Sequence, residues 1–306
     1  MRFGVPVAIA CALSCPLLAG GADAREYRLA PGQVAIGSVI HATARNGDTV
    51  ATIARRHDLG FTEVMAANPQ LDPEGPISGA DVTLPAFHIL PDAPRTGIVV
   101  NLAAQRLFYF TRDSGGDRVI TLPVGVALAG HETPMGVTQI VDKQRDPVWR
   151  PTPTIRADQP WLGDSVPPGP RNPLGSAALY LGWPAYLIHG TNMPEGIGRS
   201  GSYGCLSLYP EDIVSLFRIV PVGTQVRTVR QDVAVAWVKG ALTAQIYPNE
   251  EQGRALIPAS TVSRTITTEL RAKVAREARR RKVSPDLKAL DIARWERSGL
   301  PIRLTR

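Results

Sequence analysis

The sequence predicts a mainly β protein: a β-sandwich with a proline-rich loop over its cleft, preceded by a small α/β unit. Short apolar runs separated by Gly and Pro clusters recur between residues 97 and 189, as is typical of strands in a sheet. A proline-dense segment, 146–175, interrupts these runs, and a long irregular segment inside a compact domain is usually functional, so we expect it to roof a cleft. Before these runs, residues 35–86 alternate between strand and helix patterns.

Residues 1–24 predict a secretory signal peptide. Arg2 precedes an apolar stretch, and the segment ends in "ADA", the small-x-small pattern of a signal-peptidase site. An uncleaved anchor helix is the alternative, although prolines interrupt the apolar run. Lipoprotein cleavage at Cys11 or Cys15 is a second alternative, but neither cysteine follows a leucine-small-small tripeptide. We therefore expect an exported protein that keeps no membrane-spanning segment once the signal is removed.

The composition fits a soluble globular protein, because 44% of the residues are hydrophobic and 20% are charged. The chain carries 34 Lys and Arg against 27 Asp and Glu, and much of the excess lies in residues 270–288. This basic stretch has no interleaved aromatic residues on which bases could stack, so we expect no nucleic-acid partner. Attraction to an anionic surface of the cell envelope is the alternative for this stretch.

The first elements follow a lead, 25–34, that shows no element pattern and is expected to be unstructured. A short strand then ends at the turn signal "NGD", 46–48, which also starts a helix. A second short helix stops at "NP", 68–69, and "DVTLP", 81–85, predicts a closing strand. The order strand, helix, helix, strand within about fifty residues predicts a small unit, because so short a chain buries little surface.

This unit, 35–86, resembles the LysM family. "NGDTVATIARRH" matches the start of the family's first helix, and "ANPQ" matches the end of its second helix. The resemblance implies binding to the N-acetylglucosamine-containing glycan of peptidoglycan or chitin. A generic α/β spacer is the alternative interpretation.

The following elements are mostly strands. Residues 86–97 predict a linker, and "GIVVNLAAQRLFYF" predicts a hairpin. Further strands are predicted by "DRVITLPVGVAL", "GVTQIVDKQ", "AALYLG" and "AYLIHG". "YPEDIVSLFRIV" predicts a helix, with proline and acidic residues in its first turn, and "PVGTQVRTV" predicts the last strand of the sheet. The extension 231–306 contains two weak strand patterns and a basic helix.

Signal removal leaves Cys205 as the only cysteine of the chain, so no internal disulfide can form. A buried inert cysteine is the usual interpretation. The sequence around Cys205 instead offers three devices that lower a thiol pKa: His189 at a strand end, a turn framed by Gly201 and Gly204, and a helix beginning near Tyr209. We therefore expect Cys205 to be a nucleophile and His189 its proton acceptor.

The turn before the cysteine predicts further functional groups. The backbone amides of Tyr203, Gly204 and Cys205 can form an oxyanion hole, with each good donor contributing roughly 3–4 kcal/mol. A single cysteine with no carboxylate or second cysteine at ligand spacing cannot complete a zinc site, so we expect no metal and no cofactor. The other histidines are assigned structural or surface positions: His41, His57, His88 and His131.

The segment "IHGTNMPEGIGRSGSYGCLSLYPEDI" resembles the active-site segment of the L,D-transpeptidase (YkuD) family. "ETPMG", "WRPTPTIR" and "PPGPRNPLGSAALYLG" resemble the ErfK/YbiS-like branch, which carries an N-terminal LysM module. The resemblance covers residues 35–230 and implies a catalytic domain over 95–230. It implies a periplasmic, wall-associated acyltransferase whose partners are the stem peptides and glycan of peptidoglycan.

The resemblance also implies roles for individual residues. Cys205 is the nucleophile, His189 moves the proton, and the carbonyl of Gly190 orients the imidazole ring. Cys205 attacks the carbonyl between meso-diaminopimelate and D-alanine of a tetrapeptide stem, and an amine resolves the thioester. Ser202 belongs to the same motif, and Arg199 either meets a substrate carboxylate or is a surface arginine.

Two departures from the family pattern leave the product open. The family's histidine before Gly-Cys is Tyr203 here, and its Asn or Arg two residues after the cysteine is Ser207. The product is therefore either a 3,3 link between diaminopimelate residues or a 1,3 link from L-alanine to diaminopimelate. Anchoring of an outer-membrane lipoprotein and a catalytically inactive wall-binding protein are the alternatives.

Overall fold

The structure, a computed structural model, describes residues 25–248 and 267–305. The predicted signal peptide and residues 249–266 of the C-terminal extension lie outside the described residues. The helices are α1 (Val50–Arg56), α2 (Phe61–Ala67), α3 (Pro153–Asp158), α4 (Pro210–Ile219), α5 (Thr267–Arg280) and α6 (Leu287–Glu296). A 3-10 turn spans Pro194–Gly196.

The strands are β1 (Arg25–Arg28), β2 (Ala35–Gly37), β3 (Ile40–Thr43), β4 (Asp81–Leu84), β5 (Phe87–Ile89), β6 (Gly97–Asn101), β7 (Arg106–Asp113), β8 (Gly116–Pro123), β9 (Val126–Ala127), β10 (Gly136–Arg145), β11 (Ala177–Leu181), β12 (Leu187–His189), β13 (Ser200–Ser202), β14 (Leu206–Ser207), β15 (Gln225–Val229), β16 (Val233–Val238), β17 (Ala241–Ile246) and β18 (Pro301–Arg303). Strands therefore dominate the described chain, and the predicted mainly β fold class is confirmed.

The central feature is a nine-stranded sheet in the order β1-β8-β7-β6-β15-β10-β11-β12-β14. Strand β10 pairs with β15 through its first half and with β11 through its second half. A register shift between Ile140 and Asp142 separates the two halves, and such an irregularity bends a strand. The sheet is therefore curled, and its apolar core lies against helix α4, whose Ile213 and Leu216 are buried.

The N-terminal lead differs from expectation. Residues 25–28 form strand β1, which pairs antiparallel with β8 at the edge of the large sheet. Exposed Glu26 and Arg28 alternate with half-buried Arg25 and Tyr27. Because three of the four residues are charged, the sequence pattern is polar although one face of the strand is covered.

The small α/β unit has the predicted order strand, helix, helix, strand: β3 and β4 pair antiparallel and flank α1 and α2. Thr49 caps α1, accepting a hydrogen bond from the amide of Thr52. The helices bury an apolar face that contains Ile53 and Val64, which are fully buried. Its assignment as a glycan-binding module stays a prediction.

The α/β unit is joined to the large sheet by polar contacts. Glu63 of α2 forms a buried ion pair with Arg106 at the start of β7, with a 2.7 Å nitrogen–oxygen distance. Arg55 of α1 pairs with Glu211 of α4 at 2.7 Å, and the Tyr209 hydroxyl donates to the carbonyl of Leu59. The unit is therefore built into the protein rather than suspended on the linker.

The C-terminal extension forms a third layer. Strands β16, β17 and β18 make an antiparallel sheet, and helices α5 and α6 cover one face of it. The two predicted strands and the basic helix correspond to β16, β17 and α5, whereas β18 and α6 carried too weak a pattern to predict. Among the described residues, no helix is long and apolar enough to span a membrane.

Candidate active site

The pairing of β12 with β14 brings the predicted nucleophile and base together. The strands are parallel, with Ile188 opposite Leu206 and His189 opposite Ser207. Cys205 therefore lies beside Leu187 of the neighbouring strand. Leu187 precedes His189 by two residues, and side chains two apart on a strand share a face, so Cys205 and His189 lie on the same side of the sheet. Both His189 and Cys205 line one cavity of about 530 Å³. Sequence reasoning placed them in one site, and the structure puts them on one wall.

His189 is held in a single orientation. Its side chain is buried, and its Nδ1 lies 2.5 Å from the carbonyl oxygen of Gly190. A carbonyl oxygen can only accept, so Nδ1 carries the proton and Nε2 is left as a base. Burial lowers the pKa of His189 to about 4, although the hydrogen bond to Gly190 acts in the opposite direction. The imidazole is therefore neutral at pH 7.

Cys205 is a neutral thiol in its resting state. Burial raises its pKa to about 11, while the backbone N–H of Leu187 favours the thiolate and opposes this shift. The thiol contacts the carbonyl oxygen of Ala185, with Sγ 3.5 Å from that oxygen. The expected lowering of the thiol pKa is therefore wrong for this state. Burial outweighs the hydrogen bond from the Leu187 amide, so the thiol stays protonated at pH 7.

The turn before Cys205 is held by hydrogen bonds to its carbonyls. The Thr133 hydroxyl donates to the carbonyl of Gly204 at 2.7 Å, and the Ser202 hydroxyl donates to that of Cys205 at 2.6 Å. Gly204 has φ +104°, and a Cβ there would lie 2.6 Å from the ring of Tyr186, so the position requires glycine. In the described chain, no acceptor is seen for the amides of Tyr203 and Gly204. These amides can receive an oxyanion.

Tyr203 connects this turn to the segment above it. Its ring contacts that of His131, with centroids 4.5 Å apart, and its hydroxyl accepts a 3.4 Å hydrogen bond from Gln159. Gln159 follows helix α3 in the proline-rich segment, and the His131 Nε2 lies 3.9 Å from Asp158. Tyr203 therefore contacts the proline-rich segment that lines the cleft.

The proline-rich segment lines the cavity as predicted from its composition. Trp149, Thr152 and Ile155 face the same cavity as Cys205. The buried Asn172 donates to the carbonyl of Pro147 at 2.7 Å and fixes the two ends of the segment together. A β-bridge between Trp149 and Val166 and the side-chain amide of Asn172 thus order this long irregular segment.

Arg199 lies in the cleft wall and touches the α/β unit. Its guanidinium carbon is 3.4 Å from the ring centre of Phe61, and its Nη2 is 3.2 Å from a carboxylate oxygen of Glu74. The residue before it, Gly198, accepts a hydrogen bond from the amide of Thr62. The α/β unit therefore contacts the wall of the cleft through Arg199.

Several groups of this site carry no signal in the sequence. The amide of Leu187, the carbonyl of Ala185 and the hydroxyl of Thr133 act through backbone geometry or from a distant loop. Of these groups, only the Leu187 amide could have been predicted, and only if the pairing of β12 with β14 had been known. Within residues 25–248 and 267–305, no group of three or more His, Cys, Asp or Glu side chains could hold a metal ion.

The chain is similar to known L,D-transpeptidases in sequence. Residues 95–228 match the YkuD family model, described as the L,D-transpeptidase catalytic domain. The chain is 37% identical over 267 residues to "Probable L,D-transpeptidase ErfK/SrfK" of Escherichia coli K12, covering 85% of this chain and 83% of that protein. It is 37% identical to "Probable L,D-transpeptidase YcfS" of the same organism, covering 78% and 76% respectively. A solved L,D-transpeptidase from Mycobacterium smegmatis aligns at 15% identity and TM-score 0.35, over 50% of this chain and 64% of that one.

Proposed function

The chain belongs to the L,D-transpeptidase family, and from this premise we propose that it crosslinks the stem peptides of peptidoglycan through a thioester on Cys205. The observation that carries the proposal is the shared wall of the cavity, where β12 and β14 hold the imidazole of His189 and the thiol on one face. A cysteine and a neutral imidazole that line the same cavity supply the nucleophile and the base that covalent catalysis needs.

Acylation begins with a neutral pair. The Cys205 sulfur attacks the carbonyl carbon between meso-diaminopimelate and D-alanine while its proton passes to Nε2 of His189. The amides of Tyr203 and Gly204 stabilise the oxyanion of the tetrahedral intermediate. As the intermediate collapses, the C–N bond breaks and the imidazolium gives its proton to the departing amine of D-alanine. The products are a thioester on Cys205 and free D-alanine.

Deacylation reverses the proton flow. The amine of an acceptor stem loses a proton to His189 and attacks the thioester carbonyl, so an amide forms and the thiol is restored. Water is the competing nucleophile, and the proline-rich roof reduces its access to the thioester. With the diaminopimelate amine as acceptor, a tetrapeptide donor gives a 3,3 link, and a donor activated at L-alanine gives a 1,3 link.

Arg199 is proposed to meet a carboxylate of the substrate. Its guanidinium is paired with Glu74, whose side chain is 74% exposed, so a substrate carboxylate can exchange with that of Glu74 at modest cost. The stacked Phe61 ring keeps the guanidinium in place during the exchange.

Export and glycan binding complete the proposal. The N-terminal pattern, 1–24, favours secretion to the periplasm, where the substrate is located. The α/β unit, with its LysM-like "NGDT" and "ANPQ" segments, is proposed to bind the glycan strand. Its contacts with the cleft wall would then bring bound glycan close to the site that acts on the attached peptides.

Mass spectrometry of products from a disaccharide-tetrapeptide tests the proposal. The wild type is expected to release D-alanine and form dimers, whose fragmentation distinguishes 3,3 from 1,3 links. Cys205→Ala and His189→Ala should form neither product, while His41→Ala, a change of an exposed histidine, should behave as wild type. Intact mass after incubation with a carbapenem should show one added drug molecule on the wild type and none on Cys205→Ala. A wild type that stays unmodified and forms no product would favour a wall-binding role instead.

A further inference from the structure

A groove remote from the catalytic cavity runs between the C-terminal sheet and helix α5. Its volume is about 790 Å³, and its walls are strand β16, helix α5 and the linker around residues 91–95; we call it the cationic groove. Five basic and two acidic side chains line it: Arg95, Lys273, Arg276, Arg280 and Arg281, with Asp92 and Glu277. The proposed transpeptidase chemistry uses none of these residues.

One wall of the cationic groove is a free strand edge. Strand β16 is the outermost strand of its sheet and pairs with β17, with Val238 opposite Ala241 across a two-residue turn. In such a ladder alternate residues turn their N–H and C=O groups outward, here those of Val235 and Trp237. No partner for these groups is seen in the part of the chain that the structure describes. This edge can accept another strand.

The facing wall is a basic stripe on helix α5. Lys273, Arg276 and Arg280 are spaced three and four residues apart, which places them on one side of the helix. Lys273 lies 3.9 Å from Asp92, and Arg280 pairs with Glu277 at 2.9 Å. Within the described residues, the ion pairs of this helix involve Arg271, Lys273 and Arg280 but not Arg276.

The stripe continues beyond the helix at Arg281. Its guanidinium stacks 4.2 Å from the ring centre of Trp237, which ends the free strand edge. Stacking leaves the N–H groups at the guanidinium edge free to meet an acceptor. The basic stripe and the strand edge therefore meet at Arg281 and Trp237.

We propose that the cationic groove binds an extended acidic segment of a partner protein, which adds to β16 as a further strand. Main-chain hydrogen bonds to Val235 and Trp237 supply the pairing, and carboxylates on alternate positions meet Arg276 and Arg280. The excess of basic over acidic side chains in the groove matches this partner. A phosphate polymer or a lipid surface could neutralise the positive charge of the groove, but neither has backbone amides that could pair with the strand edge.

Fluorescence anisotropy with a labelled peptide tests the proposal on the full chain. The probe is a synthetic eight-residue peptide that alternates valine and glutamate. It should bind and be released by salt, whereas a valine–lysine peptide should not bind. N-methylation of alternate amides on the glutamate peptide removes the ladder but keeps the charge, and should weaken binding at least about tenfold. Equal binding of the N-methylated peptide would overturn strand addition.

Matched variants locate the site. Arg276→Glu with Arg280→Glu should weaken binding of the glutamate peptide by about tenfold or more, because it reverses two charges in the groove. Arg279→Glu changes an exposed arginine of the same helix that does not line the groove, and it should alter binding less than about twofold. Both variants should keep wild-type carbapenem acylation, which reports that the fold and active site are intact. Equal losses in the two variants, or inorganic polyphosphate binding tighter than the peptide, would overturn the proposal.

Discussion

Arg106 and Glu63 form a two-pronged ion pair that is almost fully buried between the large sheet and the α/β unit. Nε and Nη2 of Arg106 donate to the two carboxylate oxygens of Glu63 at 3.0 and 2.7 Å, and the side chains are 1% and 7% exposed. Nη2 also donates to the carbonyl of Asp58. Strand β7 of the large sheet and helix α2 of the α/β unit are thus joined by this ion pair.

Glu63→Ala should destabilise the protein by about 3–5 kcal/mol, because it leaves the Arg106 guanidinium buried without a counter-charge. Chemical denaturation measures the change. Arg112→Ala serves as the matched control, since Arg112 pairs with Asp117 at the surface, and should cost less than about 1 kcal/mol. Similar losses in both variants would contradict the assigned importance of the buried pair.

Asp212, in the first turn of α4, makes a second prediction. It is fully buried, neither carboxylate oxygen has a hydrogen-bond partner in the described structure, and burial raises its pKa to about 8. Its folded pKa lies above the unfolded value near 3.8, so folding takes up a proton between these values. The free energy of unfolding should therefore decrease as the pH rises from about 4 to about 8.

Asp212→Asn removes this titration, and the difference in unfolding free energy between variant and wild type isolates it from the other groups. The variant should gain stability relative to wild type with each step of pH from about 5 to about 8. Denaturant titrations at four pH values measure the difference. A difference that stays constant over this range would show that Asp212 is already ionised in the folded protein.

The sequence was sufficient for the strand pattern and for the Cys205–His189 pair, because both depend on local signals: alternation, turn residues and a motif. It was not sufficient for the Arg106–Glu63 pair. Those residues lie 43 positions apart in the chain. Because Arg and Glu side chains are normally exposed to solvent, the sequence does not mark either residue as buried. Strand β1 was missed for a similar reason, since its partner β8 lies far along the chain.

The direction of the Cys205 pKa shift is a second feature that the sequence alone did not predict. The neighbouring imidazole, glycine turn and helix were visible in the sequence and favour a thiolate. Burial of the sulfur depends on tertiary packing around the cavity, which distant segments such as the proline-rich segment also line, and a linear pattern does not report such packing. Residue identity therefore predicted which side chains share the cavity, and tertiary packing determined the resting protonation state of Cys205.

The protonation states predict the pH profile of acylation. The pKa of His189 is lowered to about 4 and that of Cys205 is raised to about 11, so the reactive neutral pair persists between these values. The rate of carbapenem acylation should stay level from about pH 5 to about pH 9 and fall below it as His189 becomes protonated. Stopped-flow measurement of acylation gives the profile. A sigmoidal rise centred between pH 6 and pH 8 would instead indicate a thiolate–imidazolium pair.

The contact between Gly60 and Gly198 predicts that the α/β unit controls the catalytic turn. Gly198 has φ +78°, and a Cβ there would lie 2.3 Å from the Cα of Gly60 and 2.5 Å from the amide nitrogen of Phe61. Both are backbone atoms, so the two segments must separate to accept a side chain. Gly198→Ala should cost about 2–4 kcal/mol through backbone strain and overpacking together.

Gly32→Ala separates the two contributions, because Gly32 has φ +72° but open space around its Cβ position. It should cost only about 1–2 kcal/mol and leave acylation unchanged. Gly198→Ala should in addition slow carbapenem acylation, because the displaced segment continues through Arg199 and β13 to the turn that holds Cys205. Acylation rates measured well below the melting temperature of each variant make the comparison. If Gly198→Ala loses stability but acylates at the wild-type rate, the α/β unit stabilises the fold without setting the geometry of the turn.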